Sequence, residues 1–119
     1  VRIVVGFPPG GGADITARLI GEWLSERLGQ PFIIDNRPGA GSNIATEAVV
    51  RATPDGYSLL LVGSYNAINA TLYDRLNFNF IRDIAPVATI YYVPNVMAVH
   101  PSFPAKTILE FIAYSKSNP

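Results

Sequence analysis

The chain contains no cysteine. That excludes disulfides, zinc–thiolate centres and a thiol nucleophile. It leaves the redox compartment open, because a chain without thiols suits either side of a membrane. Histidine occurs once, and metal-ligand spacing is absent. Charge is sparse and balanced: 9 Lys plus Arg stand against 9 Asp plus Glu, for a formal net charge of zero. This argues against a nucleic-acid partner, which usually calls for a basic excess. No apolar run reaches the ~18 residues of a membrane-spanning helix. No secretory leader is legible, since Val1 already reads as strand.

What is present is enough for a core. Of 119 residues, 49% are apolar, which excludes a disordered tail. The 10 glycines and 10 prolines gather at loops rather than in a low-complexity tract. Val1 to Val5 is a short buried-strand candidate. Ile15, Leu19, Trp23, Leu24 and Leu28 recur at helical spacing and predict one apolar stripe. Gly29 is placed as a C-terminal cap, and Pro31 stops the helix. Pro31 to Asp35 predicts a second strand, Asn36 to Asn43 a second glycine-rich loop, and Ile44 to Ala52 a second helix. The "TPDG" turn at 53–56 ends it. Tyr57 to Gly63 predicts a third strand, and Ser64 to Leu76 a loop and helix. Strand, loop and helix in repeated alternation predict a parallel sheet with right-handed crossovers. Ligands gather at the carboxyl ends of such strands. Further on, Pro86 to Tyr92 and Asn95 to His100 are expected to be two more strands. Thr107 and Glu110 form a capping-box pattern ahead of a closing helix with Ile108, Phe111 and Ile112 on one stripe.

The stretch "FPPGGGADI", Phe7 to Ile15, joins the first strand to the first helix. A helix N-terminus carries unpaired N–H groups and partial positive charge. Glycine lets a ligand approach that backbone, and proline restricts the loop leading to it. The stretch is therefore a candidate anion site; its alternative is a tight turn with no ligand. It is not a P-loop, because no Lys–Ser or Lys–Thr pair follows the glycines. Gly10 and Gly12 fit the start of a dinucleotide fingerprint and Asp35 stands where a ribose-binding acid belongs, but Ile15 occupies the third glycine position. The first loop has no Lys, Arg or His, and the second has only Arg37. A phosphate normally recruits a cation, so the pattern leans toward a small carboxylate. His100, followed by Pro101, is better explained as a solvated or packed side chain than as a general base. Asp14 reads as a helix-start acid. Ser64 and Asn66 are either side-chain donors at the same edge or ordinary turn residues. Trp23, Tyr91 and Tyr92 are core or interface residues rather than a base-stacking platform.

The run from "RIVVGFPPGGGADITARLIGEWLSERLG" through "DNRPGAGSNIATEAVVRATPDGYSLLLVGS" resembles the opening of the Bug, or TctC-type, extracytoplasmic solute receptors of tripartite tricarboxylate transporters. "FIRDIAPVATI" and "VPNVMAVHPSFPAKTILEFIAYSKSNP" continue the resemblance over essentially the whole chain. It implies an α/β, periplasmic-binding-protein-like lobe with a mainly parallel sheet flanked by helices, truncated. Residues 1–100 would be an incomplete first ligand-binding lobe with a crossing strand near its end, and 101–119 the start of a second lobe. The implied function is periplasmic, non-catalytic and cofactor-free capture of a dicarboxylate, tricarboxylate or acidic amino acid for membrane transporter subunits. The implied ligand-binding residues are Phe7, Pro9, Gly11, Gly12, Ala13 and Asp14 of the first loop, with Ser64, Tyr65 and Asn69 after the third strand; Gly63 and Asn66 belong to the same cleft. Family members exceed twice this length, so a leader and most of a second lobe are expected to be missing and the fragment to self-associate. The competing reading is a nucleotide-binding Rossmann-like domain of an oxidoreductase.

Overall fold

A computed structural model of the chain describes residues 1–118. The β-rich run Arg2–Val5 forms β1, with β2 (Ile33–Asn36) on one side and β3 (Ser58–Leu61) on the other, both parallel to it. Val5 stands opposite Asn36 and Leu61 in register. The strands therefore end level and release their loops along one edge. α1 (Gly12–Leu28) links β1 to β2. A 3-10 turn (Ala40–Ser42) and α2 (Asn43–Val50) link β2 to β3. With β1 in the middle, the two crossovers run in opposite directions. Right-handed connections then set α1 and α2 on opposite faces. Alternation along β1 serves both layers. Ile3 and Val5 pack with Ala17 and Leu61, while Val4, 1% exposed, points the other way. α3 (Ser64–Leu72) and the short α4 (Phe80–Asp83) complete a first unit that runs from Val1 to Pro86.

Two expectations are corrected. The stripe expected to bury α1 does not face the sheet: Ile15, Leu19, Trp23 and Leu28 are each more than half exposed. The buried positions are Asp14, Ala17 and Gly21. A Cβ added at Gly21 would stand 3.2 Å from the Ile34 side chain, so small residues allow the helix to lie close on β2. The Arg27 guanidinium lies 5.0 Å from the Trp23 ring centroid, sharing its face.

The second correction concerns the expected strands at 86–92 and 95–100, including the crossing strand. Residues 84–107 hold neither helix nor strand. Tyr92 and Val96 are 88% and 86% exposed. β-branched and aromatic residues favour a pleated surface only where a neighbouring strand supplies the ladder, and none pairs here. The second unit begins at Val87 and contains α5 (Ile108–Ser117). The capping box forms as expected: the Glu110 N–H donates to Thr107 Oγ1 at 3.3 Å, and Glu110 Oε2 accepts from the Thr107 N–H at 3.2 Å.

Candidate functional site

In a parallel sheet, ligands bind as a rule beyond the carboxyl ends of the strands, where neighbouring connections diverge, and β1 and β3 are neighbours in the order β2-β1-β3. The loop after β1 spans residues 6–11; the one after β3 is Val62 and Gly63. Their junction is fixed by an edge-to-face contact of the Phe7 and Tyr65 rings, with centroids 4.8 Å apart at 82°. Pro8 to Gly12 are exposed along this rim, and so is Ser64. α1 starts at N-cap Gly11 and α3 at N-cap Gly63. Neither glycine offers a side chain to cap its helix. Two helix N-termini with partial positive charge thus follow loops that meet at one edge of the sheet.

Asp14 plays a different part from its neighbours. Its side chain is buried, and its carboxylate is occupied within the loop. Oδ2 accepts from the Gly10 N–H at 2.8 Å and from Arg18 Nε at 2.9 Å, while Oδ1 accepts from Asn36 Nδ2 at 3.0 Å. Asn36 Nδ2 also donates to the Phe7 carbonyl at 3.0 Å. The Arg18 guanidinium, then the Gly10 N–H and the Asn36 amide, hold the Asp14 carboxyl well below the ordinary aspartate range, against an opposing effect of desolvation. Asp14 therefore folds the loop around itself. Asp14 is thus a first-turn acid but not the cap of the helix. The α1 N-cap is Gly11, and an amide in place of one acceptor oxygen would face a donor.

One glycine of this loop adopts positive φ. Gly10 has φ 86°, whereas N-cap Gly11 has φ −80°. Nothing stands within 4 Å of a Cβ added at Gly12. Conformation is demanding at Gly10, and close approach at Gly6, where an added Cβ would sit 1.9 Å from Ser42 Oγ.

The second glycine loop is held from β3's side by two asparagines. Asn66 accepts the Gly63 N–H at 2.9 Å and donates to Thr46 Oγ1 at 3.0 Å. Thr46 Oγ1 in turn donates to the Ser42 carbonyl at 3.0 Å. Asn69 Nδ2 donates to the Gly41 carbonyl at 2.7 Å and to Asn43 Oδ1 at 2.9 Å. Both asparagines are buried. The first loop's Phe7, Pro9, Gly11, Gly12 and Ala13 and the β3 side's Ser64 and Tyr65 are thus set at one edge, with Asn69 beneath it against the second loop. Sequence reasoning missed Asn36, Ser42 and Thr46. Their signal was local, an Asn at a strand end and hydroxyls at a helix start, and such residues are common in any turn.

Countercharge is scarce at this edge. Arg18 pairs with Asp14, and Arg37 with Asp35 at 2.9 Å. Arg2 lies 3.7 Å from the same Asp35 oxygen. His100 Nδ1 meets Ser102 Oγ at 2.7 Å within its own turn. A hollow of about 390 Å³ in the second unit is lined by Asn95, Met97, Val99, Ala105, Ile108, Phe111 and others, and one of about 410 Å³ by Val1, Leu28, Tyr57 and neighbours. Both linings are largely apolar and include none of the loop residues above, so neither offers converging polar groups. No helix among the described residues is long and apolar enough to cross a membrane.

A parallel sheet flanked by helices, with the loops after β1 and β3 meeting at one edge, is the architecture of one lobe of a periplasmic-binding-protein-like fold. Residues 16–119 match the tripartite tricarboxylate transporter family receptor, TctC, and the chain belongs to that family. The protein BugT of Bordetella pertussis is 35% identical over 100% of this chain and 37% of its own length. Two solved structures are similar. Rpa4515 of R. palustris, with adipate, gives a TM-score of 0.72 at 38% identity, over 100% of this chain and 40% of its own. MatC of Rhodopseudomonas palustris, with bound malate, gives 0.74 at 36% identity, over 98% and 40%. The chain spans between a third and two fifths of the length of the relatives it matches.

Proposed function

We propose that this protein is a periplasmic solute-binding receptor that captures a small carboxylate, without catalysis, for the membrane subunits of a tripartite tricarboxylate transporter. The observation that carries this is that the loops leading to α1 and α3, each helix begun by a glycine, meet at one sheet edge through the Phe7–Tyr65 contact. Helix N–H groups suit a singly charged carboxylate end, whereas the arginines beside the loops are already paired. Phe7, Pro9, Gly11, Gly12 and Ala13 then present backbone to the ligand, and Ser64 and Tyr65 close the opposite wall. Asp14 and Asn69 hold the loops rather than the ligand. Residues 1–100 serve as the first lobe and 101–119 open the second. The family membership and the carboxylates bound to the two similar structures support the ligand class. A nucleotide role is disfavoured by Asp35, whose oxygen is held by Arg37. Isotope-edited NMR titration tests the reading. Malate or adipate is expected to shift the amides of Gly11, Gly12 and Ser64, and NAD to leave them in place. Shifts with NAD alone would overturn it.

A further inference from the structure

Ser42 and Asn43 stand at the start of α2, as N-cap and first helical residue. Ser42 is fully buried and Asn43 is 7% exposed. Both nonetheless carry a side-chain polar atom without a partner: Ser42 Oγ and Asn43 Nδ2. Buried donors are nearly always paired, and two adjacent exceptions call for a cause. Ser42 does not use its hydroxyl to cap the helix. It holds φ 76°, a left-handed conformation uncommon for a residue with a Cβ. Its neighbours fix it there. Its N–H donates to the Gly39 carbonyl, its carbonyl accepts from Thr46 Oγ1, and its side chain lies against Gly6 at the carboxyl end of β1. Asn43 is fixed likewise, its Oδ1 taken by Asn69. Ser42 is thus positioned by its backbone and Asn43 by its Oδ1, and each leaves one side-chain donor over, at a helix start under the base of the first loop.

We infer that the Ser42 hydroxyl and the Asn43 amide form a donor pair for an anionic oxygen, and that they anchor one end of the carboxylate ligand at the α2 N-terminus; this rests on the receptor reading above. The pair suits a carboxylate by chemistry. Both atoms can donate, neither carries charge, and the helix start favours a negative group. Both are closed off from solvent, so the anion reaches them by displacing the 39–43 turn from Gly6.

Two variants test this in the protein titrated with malate and with adipate by NMR, with thermal unfolding followed in parallel. Ser42→Ala is expected to weaken binding roughly tenfold to hundredfold, the effect of losing one hydrogen bond to a charged group. It is also expected to leave Tm unchanged or raise it, since a buried hydroxyl without a partner is removed. Asn43→Asp keeps the acceptor for Asn69 and replaces the donor with an anionic oxygen, so binding is expected to vanish. A folded Ser42→Ala variant with unaltered affinity would overturn the anchor and leave the receptor reading standing. An unmodified protein that binds neither compound would overturn the receptor reading and the anchor with it. The Asn43 Nδ2 resonances are expected to move on ligand addition in the unmodified protein, and stationary resonances at saturation would also count against the anchor.

Discussion

Asp14 shows how one residue organises a loop it does not extend. Its carboxylate draws the Gly10 N–H, Arg18 and Asn36 together, leaving the exposed backbone ahead of α1 to other partners. Asp14→Ala is expected to lower Tm by several degrees, and Asp14→Asn to fall between it and the unmodified chain, in paired thermal melts. The sign of the pH effect follows from the direction of the shift. The folded carboxyl is held below its unfolded value of about 4, so the unfolded chain takes up its proton first. The stabilisation is therefore fully present above about pH 4 and is lost as pH falls through the folded value. Urea midpoints measured from pH 6 downward are expected to decline below about pH 4, and less steeply in Asp14→Asn. Asp83, lowered by the Arg82 side chain and the Asn79 N–H, adds a decline of the same sign, which Asp14→Asn leaves in place. The glycines separate in the same way. Gly10→Ala is expected to cost about 1–2 kcal/mol for the left-handed backbone. Gly12→Ala, in open helical backbone, is expected to be neutral or to stabilise by up to about 1 kcal/mol. Parallel urea denaturation checks the pair.

Among the elements, α1 illustrates what periodicity does and does not decide. Its length and its stop at Gly29, in left-handed conformation, follow from local chemistry. Which face it buries depends on distance to the sheet, and Ala17 and Gly21 win that place by being small. Gly21→Leu is expected to destabilise by about 1–3 kcal/mol through overpacking against Ile34 and Phe32. Trp23→Ala, on the exposed side, is expected to cost less than about 1 kcal/mol. Chemical denaturation of the two variants decides between the faces, and the reverse order would restore the apolar stripe to the core. At the other end of the chain, α5 depends on its cap. Thr107→Ala is expected to lose about 0.5–2 kcal/mol of helix stability, read as reduced helical ellipticity and as faster amide exchange over the first turn of α5.

For the whole molecule, apolar exposure is the dominant property. Ile90, Tyr91, Tyr92, Val96, Ile108 and Leu109 are all exposed large apolar residues in the second unit. Such surface favours association. Sedimentation at increasing concentration is expected to show self-association of the 119-residue chain, with binding of a hydrophobic dye; a clean monomer without dye would count against it. The affinity of this chain by itself is expected to be weak. A few donors to a charged group, each contributing about 1.5–3 kcal/mol, are largely offset by the ~4–15 kcal/mol lost on association. Dissociation constants around millimolar or weaker are therefore expected for malate and adipate, and a submicromolar value by calorimetry would refute this.

The sequence by itself determined the local units and their order. Short apolar runs, glycine and proline stops and a capping box place three parallel strands and their helices within a few residues of where they lie, because these signals act between near neighbours in the chain. The loop at Phe7 to Asp14 was legible for the same reason: a glycine-rich stretch at a helix mouth carries its meaning locally. Only tertiary structure decided the rest. It put β1 between β2 and β3, so that residues 7 and 65 meet at the sheet edge. It turned the apolar stripe of α1 outward, left residues 84–107 without strand partners, and moved the Asp14 carboxylate into the loop's interior. It buried the hydroxyl of Ser42 beside the amide of Asn43. Each of these depends on contacts between residues far apart in sequence, where packing distance and the pairing of buried polar groups override propensity.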